Sequence, residues 1–415
     1  MTAEPPTGLR ALPDIPRLAL PTVPAASRPL VRRVLTAMRE TRLSELLQFL
    51  GLRGWTVHPG DWMPAADDED APDVYAPWCD WAEIAASTAK VQSEAGDGIT
   101  TENWDRYWPA ARKVALAELR RRDPLAARAV LEAKLANESA DARLRLLELL
   151  ATGLSDADVP FLENIATADR APRVKALAAS LLARLGRGTA VGEDLQEIAG
   201  FFAVKMKGLL RRSRVIQFEN AKTPAQRQSR AALFERLDMA SFASALALPP
   251  EELIAAWSFD LDPQADAAFV ALVARTGTDA QVAQTAEAAS QCDASGLLSA
   301  LAPRLAPERR SELAERVLRT RGQSFAMAVA IAGGVAQIAD PLSAPAGVAL
   351  LTALRRDDAK PSDQAAELLA LGLIASRAGA RQALDRLNDA GLLQGDPHLA
   401  MLRLNAALDD NGVKP

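Results

Sequence analysis

The chain has 415 residues, 49% hydrophobic but only 5% aromatic, so its core must come mainly from alanine and leucine, the strongest helix formers. Two tyrosines and few β-branched runs exclude a large sheet, and a formal charge of −5 gives no general attraction to nucleic acid or anionic membrane. Cys79 and Cys292 stand too far apart to suggest a disulfide framework or a thiolate metal site, and neither a signal peptide nor a bilayer-length apolar run is visible, so a cytoplasmic protein is expected.

Residues 1–103 read as a proline-rich leader, a first helix and an acidic tryptophan-rich segment. Pro5, Pro6, Pro13, Pro16, Pro21, Pro24 and Pro29 predict an extended leader draped over the first helices. Leu35, Met38, Leu43, Leu46, Leu47 and Leu50 form the apolar stripe of a helix from Arg32 to Leu50, which Gly51 and Gly54 end. Six of the seven tryptophans come next: Trp55, Trp62, Trp78, Trp81, Trp104 and Trp108. Between Trp55 and Trp108 twelve acidic residues face only Lys90 and Arg106, and Asp67–Asp70 reads as a loop tip. A helix is expected over Trp78–Val91.

Residues 104–190 form a repeat block. Asp123-Pro124 caps and opens a helix, Ser139 precedes another, Gly153 stops it, and Ser155-Asp156 caps the next. Asp169 to Pro172 starts the last helix, which Gly186 closes. Arg143 and Lys175 occupy matching positions 32 residues apart, as do Leu150 and Leu182. A period of that size is produced by helix pairs that cannot bury their apolar faces alone.

Residues 191–248 read as basic connecting helices. Lys205, Lys207, Arg211, Arg212, Arg214, Lys222, Arg227 and Arg230 face only Glu219, leaving the rest of the chain at about −12. On a helix, Lys207, Arg211 and Arg214 share one face, which repels itself unless paired. Thr223-Pro224 starts a helix that runs to about Met239. From 249 to 415 the chain is alanine-rich helix upon helix. The architecture expected is therefore all-α: an alpha-alpha superhelix of HEAT-like repeats, a solenoid, with an irregular Trp/Pro-rich segment near its N-terminal end.

The central block resembles HEAT-like repeats, whose second helix carries a preceding aspartate and a V-R/K-x-x-A pattern; Asp169 and Val174-Lys175-Ala176-Leu177-Ala178 fit it. W-x-V-H-P-x-D-W at Trp55–Trp62, P-x-A-A-R at Pro124–Arg128, G-L-S-D-A-D-x-x-F-L-E at Gly153–Glu163 and A-D-R-A-P-R-V at Ala168–Val174 resemble an uncharacterised bacterial helical family. Its members are often encoded beside a MoxR-type AAA ATPase, a von Willebrand factor A-domain protein and a SWIM zinc-finger protein. The resemblance implies a companion in a multi-protein system, with an AAA ATPase or a von Willebrand factor A-domain protein as partner, and brings no catalytic residue with it.

The residues offer no catalytic constellation. His58 and His398 lack metal-ligand spacing, and the acidic run at Asp67 to Asp70 lacks the alternating ligands of a calcium loop, so no metal and no cofactor is expected. Gly186-Arg187-Gly188 and Gly333-Gly334 lack the strand, lysine and hydroxyl of a nucleotide loop: the first reads as a helix stop, the second as a close crossing or kink. A His58–Cys79 pair has no supporting third group. Two candidate partner-binding features remain. Trp55, Trp62, Trp78 and Trp81 either seal the first repeat or present a hot spot, with Trp62 and Trp78 expected to be the exposed ones because prolines flank them. Lys207, Arg211, Arg212 and Arg214 either pair internally or meet an acidic protein surface. The alternative function is a HEAT-like nucleic-acid-binding protein or DNA glycosylase using residues 205–230.

Overall fold

The computed structural model describes residues 14–38, 43–65, 68, 71–86, 98–188, 192–207, 213–292, 294–334, 336–356 and 360–408. They are mostly helical and fall into two compact units: residues up to Lys134 together with Leu408, and Leu135–Ala407.

The first unit holds α1 (Arg28–Met38), α2 (Leu43–Leu52), α3 (Ala76–Ala86), α4 (Pro109–Arg122) and α5 (Pro124–Lys134). The helix expected over Arg32–Leu50 is thus two helices, with 39–42 outside the described residues. The helix expected over Trp78–Val91 is described to Ala86, and most of the run at Asp67–Asp70 also lies outside. The described part of the leader, from Asp14 on, pairs with the segment after α2. Thr22 bridges Thr56 in parallel, with Val23 N donating to Thr56 O and Thr56 N to Pro21 O, each at 2.8 Å. Backbone donors that the prolines cannot supply come from the segment the leader crosses.

The second unit begins with α6 (Ala140–Glu148), α7 (Val159–Ala168), α8 (Pro172–Arg184) and α9 (Gly192–Ala199). An antiparallel hairpin comes next, β1 (Phe202–Lys207) and β2 (Ser213–Phe218), the only sheet among the described residues. Then come α10 (Pro224–Arg236), α11 (Met239–Ala245), α12 (Pro250–Ala256), α13 (Pro263–Thr276), α14 (Asp279–Ser290), α15 (Leu298–Leu301) and α16 (Pro307–Arg319). The unit ends with α17 (Phe325–Ala332), α18 (Pro345–Leu354), α19 (Ala365–Ile374), α20 (Arg377–Asp389) and α21 (Ala400–Ala407).

Prolines open eight of these helices: Pro109, Pro124, Pro172, Pro224, Pro250, Pro263, Pro307 and Pro345 each stand at a first helical position, where a missing N–H costs nothing. Side-chain caps precede several of them. Ser139 accepts from Ala142 N, Thr223 forms a capping box with Gln226, and Ser155 one with Asp158. Gly186 adopts φ +74° after α8, and Gly333 φ +58° after α17. Gly333 is a left-handed helix stop where α17 ends, and of the expected close crossing or kink it shows a close approach, to the Arg310 side chain of α16.

From α11 onward packing alternates. The helices α11, α13, α15, α17, α19 and α21 lie each against the next of that series, and α12, α14, α16 and α18 do likewise. Consecutive helices such as α16 and α17 also pack on each other. Glycines permit the tightest approaches: a Cβ on Gly372 of α19 would stand 2.7 Å from Leu402 N of α21. Buried Asn405 closes that seam by donating to Gly372 O and Ala375 O at 2.8 and 2.7 Å. The core is mainly alanine and leucine, as composition requires, with one aromatic concentration where the hairpin docks. There Phe202, Phe218, Phe234 and Phe242 meet Trp257, which stacks on Phe269 at 4.1 Å.

Candidate functional site

The tryptophan-rich segment is built inward, around Tyr75. The Tyr75 hydroxyl accepts from Val57 N at 3.0 Å, and its ring meets Trp62 edge-on at 5.2 Å and Trp78 at 5.5 Å. Trp78 is only 2% exposed, and its Nε1 donates to Pro16 O at 2.9 Å. The expected exposure of Trp78 is thus corrected. Pro77 is the second residue of α3, so it turns the indole under the leader and not toward solvent. Trp55, Trp62 and Trp81 are half-buried. Trp104 is buried beneath the Arg112 guanidinium, 4.6 Å from its ring. These contacts turn Trp78 and Trp104 inward and leave Trp55, Trp62 and Trp81 partly exposed.

Charge in this unit is also committed. The Asp61 carboxylate accepts from Arg28 Nε and Nη2 at 2.8 and 2.9 Å and from Arg32 Nε at 2.5 Å, which holds its pKa down at about 2. Asp80, buried on α3, accepts weakly from Ala111 N in the first turn of α4, yet burial pushes its pKa up to about 6. His58 Nδ1 accepts from Gly60 N at 3.0 Å, a local turn role. Burial raises the Cys79 thiol to about 11, the opposite of what a thiolate nucleophile needs.

The basic segment is a β-hairpin where helix was expected. Phe202 faces Phe218, Val204 faces Ile216, and Met206 faces Arg214 across the ladder. The alternation in Phe202–Lys207 and Ser213–Phe218 puts Phe202 and Ile216 into the aromatic core, and that burial outweighs any helical spacing of the cations. Lys207 ends β1 opposite Ser213, while Arg211 and Arg212 lie outside the described residues. Arg214 and Lys207 therefore do not share a helix face. Three of the described cations find carboxylates: Arg214 pairs with Glu252 of α12, Lys205 with Glu219 at 3.9 Å, and buried Arg230 with Asp262 at 2.6 Å.

Surface relief lies elsewhere, on both sides of α18. One groove of about 410 Å³ is lined by Leu318, Arg319, Ile338, Asp340, Ser343 and Pro345. The other, of about 300 Å³, is lined by Val348, Leu351, Thr352, Arg355, Arg386 and Asp389. Arg386 ties their borders together, donating to Asp340 Oδ1 and Leu342 O at 3.2 Å each. Val348 is 52% exposed at the lip. The signal in the sequence was α18 itself, Pro345–Leu354, which is apolar on every face and so cannot be wholly explained by one buried side. Among the described residues no group of His, Cys, Asp and Glu could hold a metal ion, and no helix is long and apolar enough to cross a membrane.

Residues 78–409 match the model of a family of unknown function (DUF5691), and the chain belongs to that family. No curated protein and no solved structure matches it.

Proposed function

We propose that this DUF5691 chain is a non-catalytic helical-repeat scaffold that grips a protein partner along the α12–α14–α16–α18 layer, at the two grooves beside α18. The alternate packing of α11 to α21 carries the reading. Helices that lean on their second neighbours as well as their first support reading this stretch as a two-layered solenoid stack, and such stacks present an extended surface. The grooves mix apolar Leu318, Ile338, Val348 and Leu351 with charged rims, the composition of a protein-binding surface. The resemblance drawn from Trp55–Trp62 and Gly153–Glu163 suggests the partner: an AAA ATPase or von Willebrand factor A-domain protein of a bacterial ATPase-associated system. The nucleic-acid alternative is less favoured, since Lys205, Arg214 and Arg230 of this segment pair with carboxylates.

The test is gentle co-purification of the full-length chain from its native cells, beside a Val348→Asp/Arg355→Glu variant. A partner recovered in stoichiometric amount with the parent and lost with the variant supports the proposal. Recovery of a lone monomer, or a partner held equally by both, rejects it.

A further inference from the structure

Several arginines in this chain hold a carboxylate with both prongs: Arg143 bonds Asp169 at 2.9 Å twice, and Arg236 likewise holds Asp194 by two bonds. A different arrangement brings two largely buried arginines to one oxygen. Arg184, at the end of α8, and Arg304, in the turn after α15, have side chains only 14% and 13% exposed, and both converge on a single oxygen, Asp279 Oδ1 at the start of α14. Arg304 is well served: Nη2 reaches that oxygen at 2.5 Å, and Nη1 donates to Ala274 O at 2.9 Å. Arg184 Nη2 stands 3.6 Å away, beyond a good hydrogen bond, and among the described residues Asp279 is its carboxylate. The Nε atoms of both arginines are buried with no hydrogen-bond partner.

Two largely buried guanidiniums therefore share one carboxylate, and that carboxylate is itself 76% exposed. Removing positive charge from water without matching it is costly. Burial pulls the Arg184 pKa below the usual arginine value, and the Arg304 charge adds to the pull. What the pair lacks is a negative group with enough charge and acceptor oxygens for both guanidiniums. We propose that Arg184 and Arg304 form a binding site for a phosphate monoester, which displaces the Asp279 side chain outward and is held between the two forks. A second carboxylate would bring one charge, whereas a phosphate monoester carries about −1.5 to −2 at neutral pH and three acceptor oxygens that suit two guanidinium forks. The Ser180 hydroxyl, one turn before Arg184, is engaged with Arg275 O at 2.8 Å and so takes no part. This site does not depend on the grooves beside α18.

A free phosphorylated metabolite and a phosphoserine on a protein would present the same group, so the experiment uses both forms. Thermal melts of the full-length chain are followed with inorganic phosphate against chloride at matched ionic strength, and with a phosphoserine peptide against its unphosphorylated twin. The expected result is a saturable rise in Tm with phosphate. Asp279→Asn, which removes the competing carboxylate, should sharpen it several-fold, and Arg184→Gln should abolish it. A larger effect of the phosphopeptide at equal concentration assigns a protein source, and a larger effect of inorganic phosphate a small-molecule one; either supports the site. Should Arg184→Gln fail to fold, Arg184→Lys keeps the charge without the fork and is expected to bind more weakly than the parent. An Asp279→Asn variant that loses stability without gaining any phosphate response reveals a structural ion pair only and overturns the proposal. A phosphate response undiminished by the Arg184 substitution overturns it too.

Discussion

Asp61, clasped by Arg28 and Arg32, and Asp80, buried against the start of α4, should move stability in opposite directions with pH. The Asp61 pKa falls to about 2, so its stabilisation is present above the unfolded value near ~3.9 and is lost as pH drops through about 2. The Asp80 pKa rises to about 6, so its contribution is present below ~3.9 and is lost as pH climbs through about 6. At neutral pH the ionised, buried Asp80 costs up to ~3 kcal/mol. We expect Asp80→Asn to raise the urea midpoint at pH 7 and to leave it unchanged at pH 3.5. Asp61→Asn should instead destabilise at pH 7, by about 2 kcal/mol, and flatten the acid limb of the curve. Neither environment was legible beforehand. The sequence shows Asp61 and Asp80 only as two of the twelve acidic residues between Trp55 and Trp108, and their environments come from the clasp of Arg28 and Arg32 and the packing of α3 on α4.

At the scale of single elements, Asp262 serves two helices at once. It caps α13 by accepting from Gln264 N and Ala265 N at 3.1 and 3.0 Å, and it neutralises Arg230, which is buried on α10. Asp262→Ala should cost ~3–5 kcal/mol through the stranded guanidinium, with the lost cap adding ~1. Chemical denaturation measures this directly, and a cost under 1 kcal/mol would show that Arg230 finds water. Caps of this kind were the most readable part of the chain: Asp123, Ser139, Ser155 and Thr223 all stand where their residue type predicted. The hairpin was not readable, because its lysines and arginines also fit a helical spacing. The deciding facts are tertiary, since as strand residues Phe202 gains a buried aromatic partner set and Ile216 is fully buried. Trp78 misled for a related reason: a neighbouring proline that suggested a loop turned out to start a helix.

Across the second unit, the repeat pattern at Arg143 and Lys175 did not announce the alternate seating of α11 to α21, which lies in a different stretch. Alanine-rich helices pack so closely that sequence alone does not say which neighbour each one meets. The α19–α21 seam tests the arrangement. Gly372→Ala would put a methyl 2.7 Å from Leu402 N and Met401 Cγ, so it should destabilise by ~1–3 kcal/mol although alanine is the better helix former. A neutral or stabilising outcome in thermal melts would mean that the seam is looser than described. The candidate site fared worst at this scale, since the grooves beside α18 exist only once three helices have come together.

The same interleaving has a practical corollary for dissecting the protein. The turn at Gly322 is exposed and bends with φ +82°, yet α17 beyond it rests on α15 before it, and α18 beyond it on α16 before it. A chain severed at that turn would leave each fragment with half a zipper, so the two pieces made together should mate without a covalent link. Severance there offers a way to install a label, or a reporter split between the halves, in the middle of the array.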